Sequence, residues 1–180
     1  MVHVIVEGET DRVLIERLLE DLHDTAEFVL VVAGGRNAGR PLARKILLLD
    51  GAPVAFVFDT DSSDADRSRE TERELRSYFR LWQPSPPILL VPMMPSIECL
   101  IVDHPEILES RLGRKLESIE RDAGRFEPKG FLKARFKELG VESIPDLFRS
   151  LTSSEIEILQ ADKRIEKLRQ FVQKHALVAR

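Results

Sequence analysis

At 180 residues, with 43% hydrophobic and 32% charged residues, the chain has the composition of one charge-rich globular unit and gives no basis for disorder. A formal charge of −4 argues against a protein that grips nucleic acid through its global field, although a local basic patch or bridging metal ions can still engage phosphates. The single cysteine, Cys99, excludes an internal disulfide and any zinc site built from clustered cysteines.

The first ninety or so residues alternate short β-branched runs with amphipathic stretches, the pattern of parallel strands joined by crossover helices. Strands are expected at Val2 to Val6, Phe28 to Ala33, Val54 to Phe58 and Ile88 to Val91. All four are nearly continuous apolar runs, which suits strands covered by helices on both faces. Between the first two, Val13, Leu14, Leu18, Leu19 and Leu22 recur at helical spacing, with Thr10 placed as an N-cap. Asn37 to Leu49 reads as a second helix with Pro41 in its first turn, and Asp64 to Trp82 as a third, long and charged.

After Pro92 strand-like runs disappear, and helical patterns fill Pro105 to Asp122, Pro128 to Leu139, Pro145 to Leu151 and Ser154 to His175. The last opens on Ser154 and Glu157 at capping-box spacing. A boundary near residue 104 would divide an α/β domain over 1–104 from a helical C-terminal subdomain over 105–180 packed on the sheet. The apolar runs fall far short of the roughly 20 residues that cross a bilayer, and the N-terminus has no basic lead into a signal-type core. A cytoplasmic protein without membrane contact is expected.

In an open parallel sheet, functional groups gather at the carboxyl ends of the strands. Glu7 directly follows the first strand in VEGETD, and Asp59 and Asp61 follow the third in VFDTD, so residues distant in sequence meet at one rim. Gly8 lets the chain turn away from the strand. In extended chain, Asp59 and Asp61 would point to the same side, and Asp11, in the first helical turn, would lie close by. Four carboxylates in one small volume repel each other unless protons or divalent cations neutralise them, which makes Mg²⁺ or Mn²⁺ the natural occupant. Either motif alone is common by chance; the weight lies in their order and their placement at strand ends.

A glutamate-glycine after the first strand and a D-x-D after the third resemble the Toprim domain over about residues 1–104. The nearest flavour is the overcoming-lysogenization-defect (OLD) nuclease branch, because Glu7 and Asp11 form an E-x-x-x-D pair and Ser96, Ile97 and Glu98 look like its later S-x-E segment. The resemblance implies a Rossmann-like, mostly parallel four-stranded sheet flanked by helices with a C-terminal helical extension. It also implies Mg²⁺-dependent phosphodiester hydrolysis on DNA or RNA. By the same resemblance Glu98 is a further metal ligand or ligand-orienting group, and Glu7 a metal ligand or general acid or base. A lysine that steadies the transition state is implied too, with Lys129 in EPKGFLK as candidate and Lys133 as fallback; a solvated helix-start lysine is the plain alternative. One departure is clear: OLD proteins carry an ATPase domain before the Toprim domain, and no G-x-x-x-x-G-K-[ST] loop occurs in this sequence. An ATPase would have to be a separate partner.

Gly34, Gly35 and Asn37 follow the second strand, with Arg36, Arg40, Arg44 and Lys45 beside them. A glycine-rich turn entering a helix can present N–H groups to a phosphate of the nucleic acid, with arginines adding bidentate contacts; a tight turn with solvated charges is the other reading. The four histidines show no shared metal spacing, and Cys99 reads as a small buried hydrophobe. The only tyrosine, Tyr78, lies in the charged third helix, so covalent topoisomerase chemistry is not expected. Two rivals to a nuclease remain: a non-catalytic or regulatory nucleic-acid-binding module beside an ATPase partner, and phosphoryl transfer on a small molecule. A homo-oligomer is compatible with all three.

Overall fold

The computed structural model describes residues 1–82 and 84–176. Four strands, β1 (Val2–Val6), β2 (Phe28–Val32), β3 (Val54–Asp59) and β4 (Ile88–Met93), form one sheet in the order β2-β1-β3-β4, every pairing parallel. The crossovers are α1 (Glu9–Leu19), α2 (Arg36–Lys45) and α3 (Ala65–Arg80). Successive side chains along a strand face opposite sides, and the two cores divide accordingly. Val2, Val4, Val6, Ala55 and Val57 pack with Leu14, Ile15 and Leu18 of α1. Ile5, Val54, Phe56 and Phe58 pack with Ala43 of α2 and Leu75 and Phe79 of α3. The expectation that all four strands are buried on both faces fails at β2, where Val29 is exposed. β2 is an edge strand, and an edge does not get the cover its neighbours have.

α2 lies close on the sheet because residue 39 is glycine. A Cβ at Gly39 would stand 2.5 Å from the Phe56 ring, inside van der Waals contact. Gly39→Ala is therefore expected to destabilise the fold by about 1–3 kcal/mol despite alanine's higher helix propensity, read as a lowered midpoint in thermal or urea unfolding.

The helix ends depart from the sequence reading where capping chemistry had competing solutions. α1 begins at Glu9 with Gly8 as its N-cap, and Asp11 rather than Thr10 closes the turn by accepting the Gly8 N–H at 2.8 Å. α2 starts at Arg36, which moves Pro41 into its second turn, and it runs on into a wider π-type turn at Ile46–Asp50 closed by Gly51 at φ 61°. α3 is capped by Asp64, whose side chain accepts from Asp66 and Arg67.

A short helix that the sequence reading did not include, α4 (Cys99–Val102), follows β4. The predicted Pro105 to Asp122 helix is two, α5 (Pro105–Leu112) and α6 (Ser118–Phe126), parted at Gly113 in the left-handed conformation. Pro128 to Leu139 is likewise α7 (Pro128–Lys133) and α8 (Phe136–Leu139), followed by α9 (Ile144–Arg149). The final stretch divides into α10 (Ser153–Gln160) and α11 (Lys163–His175), because Asp162 caps a new helix by accepting the Arg164 N–H. The capping box is Thr152 with Glu155 rather than Ser154 with Glu157.

These helices share the α1-side core: Leu147, Phe148, Leu159, Leu168 and Val172 belong to one buried cluster with the strand valines. Polar ties reinforce the packing, since Arg17 of α1 donates to the Leu151 carbonyl at 2.8 Å and Arg169 of α11 pairs with Asp21 at 2.7 Å. Residues 177–180 of the proposed C-terminal subdomain lie outside the described residues. No helix among the described residues is long and apolar enough to cross a membrane.

Candidate metal centre at the β1–β3 rim

β1 and β3 are neighbours, yet their helices leave in opposite directions, α1 to one face and α3 to the other. Such a divergence opens a crevice above the strand ends, and in parallel sheets that crevice is where ligands bind. Glu7 leaves β1 at this point and Asp59 ends β3 there.

Glu7 is the hub of the rim. Its Oε2 accepts the Arg36 N–H at 2.9 Å and its Oε1 the Asp59 N–H at 3.1 Å. Its backbone carbonyl accepts the N–H groups of Gly34 and Gly35 at 3.0 and 2.9 Å. Gly34 and Gly35 have φ of 80° and 107°, values that favour glycine, and so turn their amides inward. The expected phosphate cradle is corrected accordingly: the amides of Gly34, Gly35 and Arg36 are already spent on Glu7. The Arg36 side chain is engaged as well, by the Asp59 carbonyl and Asp61, while the side chains of Asn37 and Arg40 remain for an anion.

Asp59 sits among four other carboxylates. Burial, and then the nearby carboxylates of Asp11, Glu7, Glu98 and Asp61, push its carboxyl up to about 8. Burial also raises Asp11, with Glu98 adding to the rise and the Gly8 N–H and Lys129 opposing it. Glu7 is raised by burial against the two amide bonds that favour its charge. Glu98, just before α4, is 2% exposed, and Lys129 at the start of α7 brings its Nζ to 4.0 Å from Glu98 Oε1. Lys129 therefore reaches the acidic group, whereas Lys133 is exposed at the far end of α7.

Asp61 departs from expectation. It has φ 56°, so the chain is not extended there and Asp59 and Asp61 do not share a side as strand residues would. Its side chain is 70% exposed and pairs with Arg36 Nη2 at 3.1 Å, while Arg36 Nη1 donates to the Asp59 carbonyl at 2.9 Å. Arg36 is thus a latch between α2 and the β3–α3 loop. The sequence reading also passed over Thr60 and Ser68, buried and joined through their hydroxyls at 2.9 Å, which fix this loop; nothing in their spacing announces that role.

The carboxylates that remain uncommitted to the scaffold are Asp59, Glu98 and one oxygen of Asp11. Among the described residues no three acidic, histidine or cysteine side chains stand in ligand geometry, so the rim is a charge cluster rather than a closed cage. Its chemistry nonetheless fits a hard divalent cation: every donor is oxygen, and the raised Asp59 marks negative charge short of compensation. The remaining reactive types lie elsewhere. The Cys99 thiol is buried and pushed up to about 12, which leaves it inert, and Tyr78 packs edge-on against Phe79 in α3.

No protein-family model matches the chain, and no curated protein matches its sequence. Among solved structures it is similar to the C-terminal region of the Burkholderia pseudomallei OLD protein, at 13% identity and a TM-score of 0.57, covering 98% of each chain. It is also similar to the C-terminal region of the Xanthomonas campestris pv. campestris OLD protein, at 14% identity and a TM-score of 0.51, covering 96% of this chain and 94% of that one. At such identities the likeness is one of fold, and over nearly its whole length this chain has the fold of an OLD C-terminal region.

Proposed function

We propose that the chain is a Mg²⁺- or Mn²⁺-dependent nuclease that hydrolyses phosphodiesters in DNA or RNA at the β1–β3 rim. The observation that carries this reading is Asp59, a carboxyl raised to about 8 among Asp11, Glu7 and Glu98 at the crevice where helices diverge. The fold shared with OLD C-terminal regions supports it. Asp59, Asp11 and Glu98 would hold the cation, with Glu7 fixing the Asp59 backbone beneath. A bound divalent ion supplies Lewis-acid polarisation of the scissile phosphate and a counter-charge. Lys129, 56% exposed with its Nζ 4.0 Å from Glu98 Oε1, would offset charge that develops on the phosphate oxygens.

The test is cleavage of plasmid and of single-stranded DNA and RNA by the purified chain in Mg²⁺ or Mn²⁺. Lys129→Ala should lower turnover by about 10²-fold, while Lys133→Ala leaves it unchanged. Equal loss in both variants would remove Lys129 from the reaction, and cleavage insensitive to chelation would sink the metal mechanism.

One observation favours a second reading. Glu7 and Asp61 are engaged by the scaffold and by Arg36, which leaves fewer free carboxylates than a two-ion site uses. On that reading the chain is a regulatory module that binds nucleic acid or metal beside a separate ATPase partner. Calorimetric binding of Mg²⁺ or DNA with no turnover on any substrate would select it.

A further inference from the structure

α2 is a ten-residue helix with four cations, Arg36, Arg40, Arg44 and Lys45, and no acidic residue, in a chain whose net charge is −4. Arg36, Arg40 and Arg44 recur every fourth residue, so they form one row along the helix, spaced by about 6 Å of axial rise. All three are half-buried, on the flank between the core-facing Gly39 and Ala43 and solvent.

The ends of the row are fixed by contacts. Arg36 is latched to Asp59 and Asp61 at the rim. Arg44 stacks its guanidinium over the Trp82 ring, 4.4 Å from the centroid, just beyond the end of α3. Between them stands Arg40, whose Nε is buried without a hydrogen-bond partner and whose guanidinium has no acidic partner among the described residues. A half-buried guanidinium with no acidic partner is free to make charge-assisted hydrogen bonds to an anion from outside. Trp82, 46% exposed, carries an aromatic face at the far end, next to the exposed Leu81.

We infer that the Arg36–Arg40–Arg44 row and Trp82 form a track for a single nucleic-acid strand that leads into the Asp59 rim. Arg40 and Arg44 take successive phosphates, Arg36 holds the end of the row at the rim, and Trp82, with Arg44 on its ring, takes an unpaired base. Regularly spaced cations ending in an aromatic platform are the chemistry of strand binding without sequence readout. An acidic peptide would be drawn by the same charges but would gain nothing comparable from the indole face. The inference rests on the nucleic-acid reading of the rim, yet it concerns binding and can fail separately from cleavage.

Trp82 is the only tryptophan, so its fluorescence reports this position alone. The experiment titrates the full chain, in chelator so that no cleavage intervenes, with a labelled single-stranded oligonucleotide, following both tryptophan emission and label anisotropy. Expected are saturable quenching of Trp82 together with a rise in anisotropy. Arg40→Ala and Arg44→Ala should each weaken binding at least fivefold and reduce the slope of log affinity against log salt by about one. Arg40→Lys should recover most of the affinity, which separates charge from misfolding.

Oligonucleotide binding without quenching, or binding indifferent to both alanine variants, would overturn the track while leaving the rim's nuclease reading intact. Quenching by a polyglutamate peptide with none by the oligonucleotide would overturn it also. Strand binding as expected, beside a chain that cleaves nothing in Mg²⁺ or Mn²⁺, would uphold the track and remove the nuclease reading.

Discussion

Asp59→Asn is expected to abolish metal-dependent cleavage, by on the order of 10³-fold, and at the same time to make the metal-free protein more stable at neutral and alkaline pH. The second half follows from the sign of its shift. Its carboxyl titrates at about 8 in the folded chain, against 3.8 as the ordinary value. Between those values the folded state holds a proton that the unfolded state has released, so stability falls as pH rises from about 4 and levels off above about 8. A neutral amide of nearly the same shape has no proton to hold. The variant should therefore gain on the order of 2 kcal/mol above pH 8, a few degrees in midpoint for a chain of this size, and the gain should vanish near pH 4. Millimolar Mg²⁺ should raise the midpoint of the parent protein, through binding to the folded state alone, and leave the variant's unmoved. Thermal melts across pH, with and without metal, read all of this. A variant less stable than its parent at pH 8.5 would mean that Asp59 is not the uncompensated charge of the rim.

How much of this was legible in the sequence depended on whether a feature is set by pattern or by competition. The strands at Val2–Val6 and Val54–Asp59 follow from apolar runs that nothing else in the chain can shelter, and their parallel order from the helices between them. Glu98 was reached only through the family resemblance, whereas Glu7 and Asp59 were readable as rim residues because strand ends in such a sheet converge. Whether their carboxylates stay free was not. That Glu7 would spend both oxygens on the amides of Arg36 and Asp59 depends on how Gly34 and Gly35 curl, and their left-handed angles are chosen by the fold. Asp61 was misread for the same reason, since a spacing of two implies a shared side only while the chain stays extended. Lys129, some thirty positions from Glu98, was found through resemblance rather than spacing, because only the path of α4 to α7 returns it to the rim. Helix ends were missed by a few residues wherever two capping side chains stood close, as with Thr152 and Ser154.

Glu7→Gln isolates what this residue does. If Glu7 served only as a proton carrier or metal ligand, the isosteric amide would be nearly silent in stability. The geometry predicts otherwise: both carboxylate oxygens accept backbone N–H groups, from α2 and from β3, and an amide has a single accepting oxygen. Its NH₂ must then oppose either the Arg36 or the Asp59 amide, donor against donor, at a half-buried position. The cost should be about 2–3 kcal/mol, a midpoint lower by several degrees, with faster hydrogen exchange at whichever amide loses its acceptor. Because Glu7 joins the end of β1 to the last residue of β3 and to the first of α2, the damage should not stay local. Arg36 would loosen its hold on the Asp59 carbonyl, and the row of arginines that begins with it would shift away from the rim. The variant should therefore lose strand affinity as well as turnover, a combination that a residue confined to proton transfer would not produce. Unchanged exchange at both amides in Glu7→Gln, with activity alone reduced, would assign Glu7 to chemistry and leave the joining of β1, β3 and α2 to the backbone.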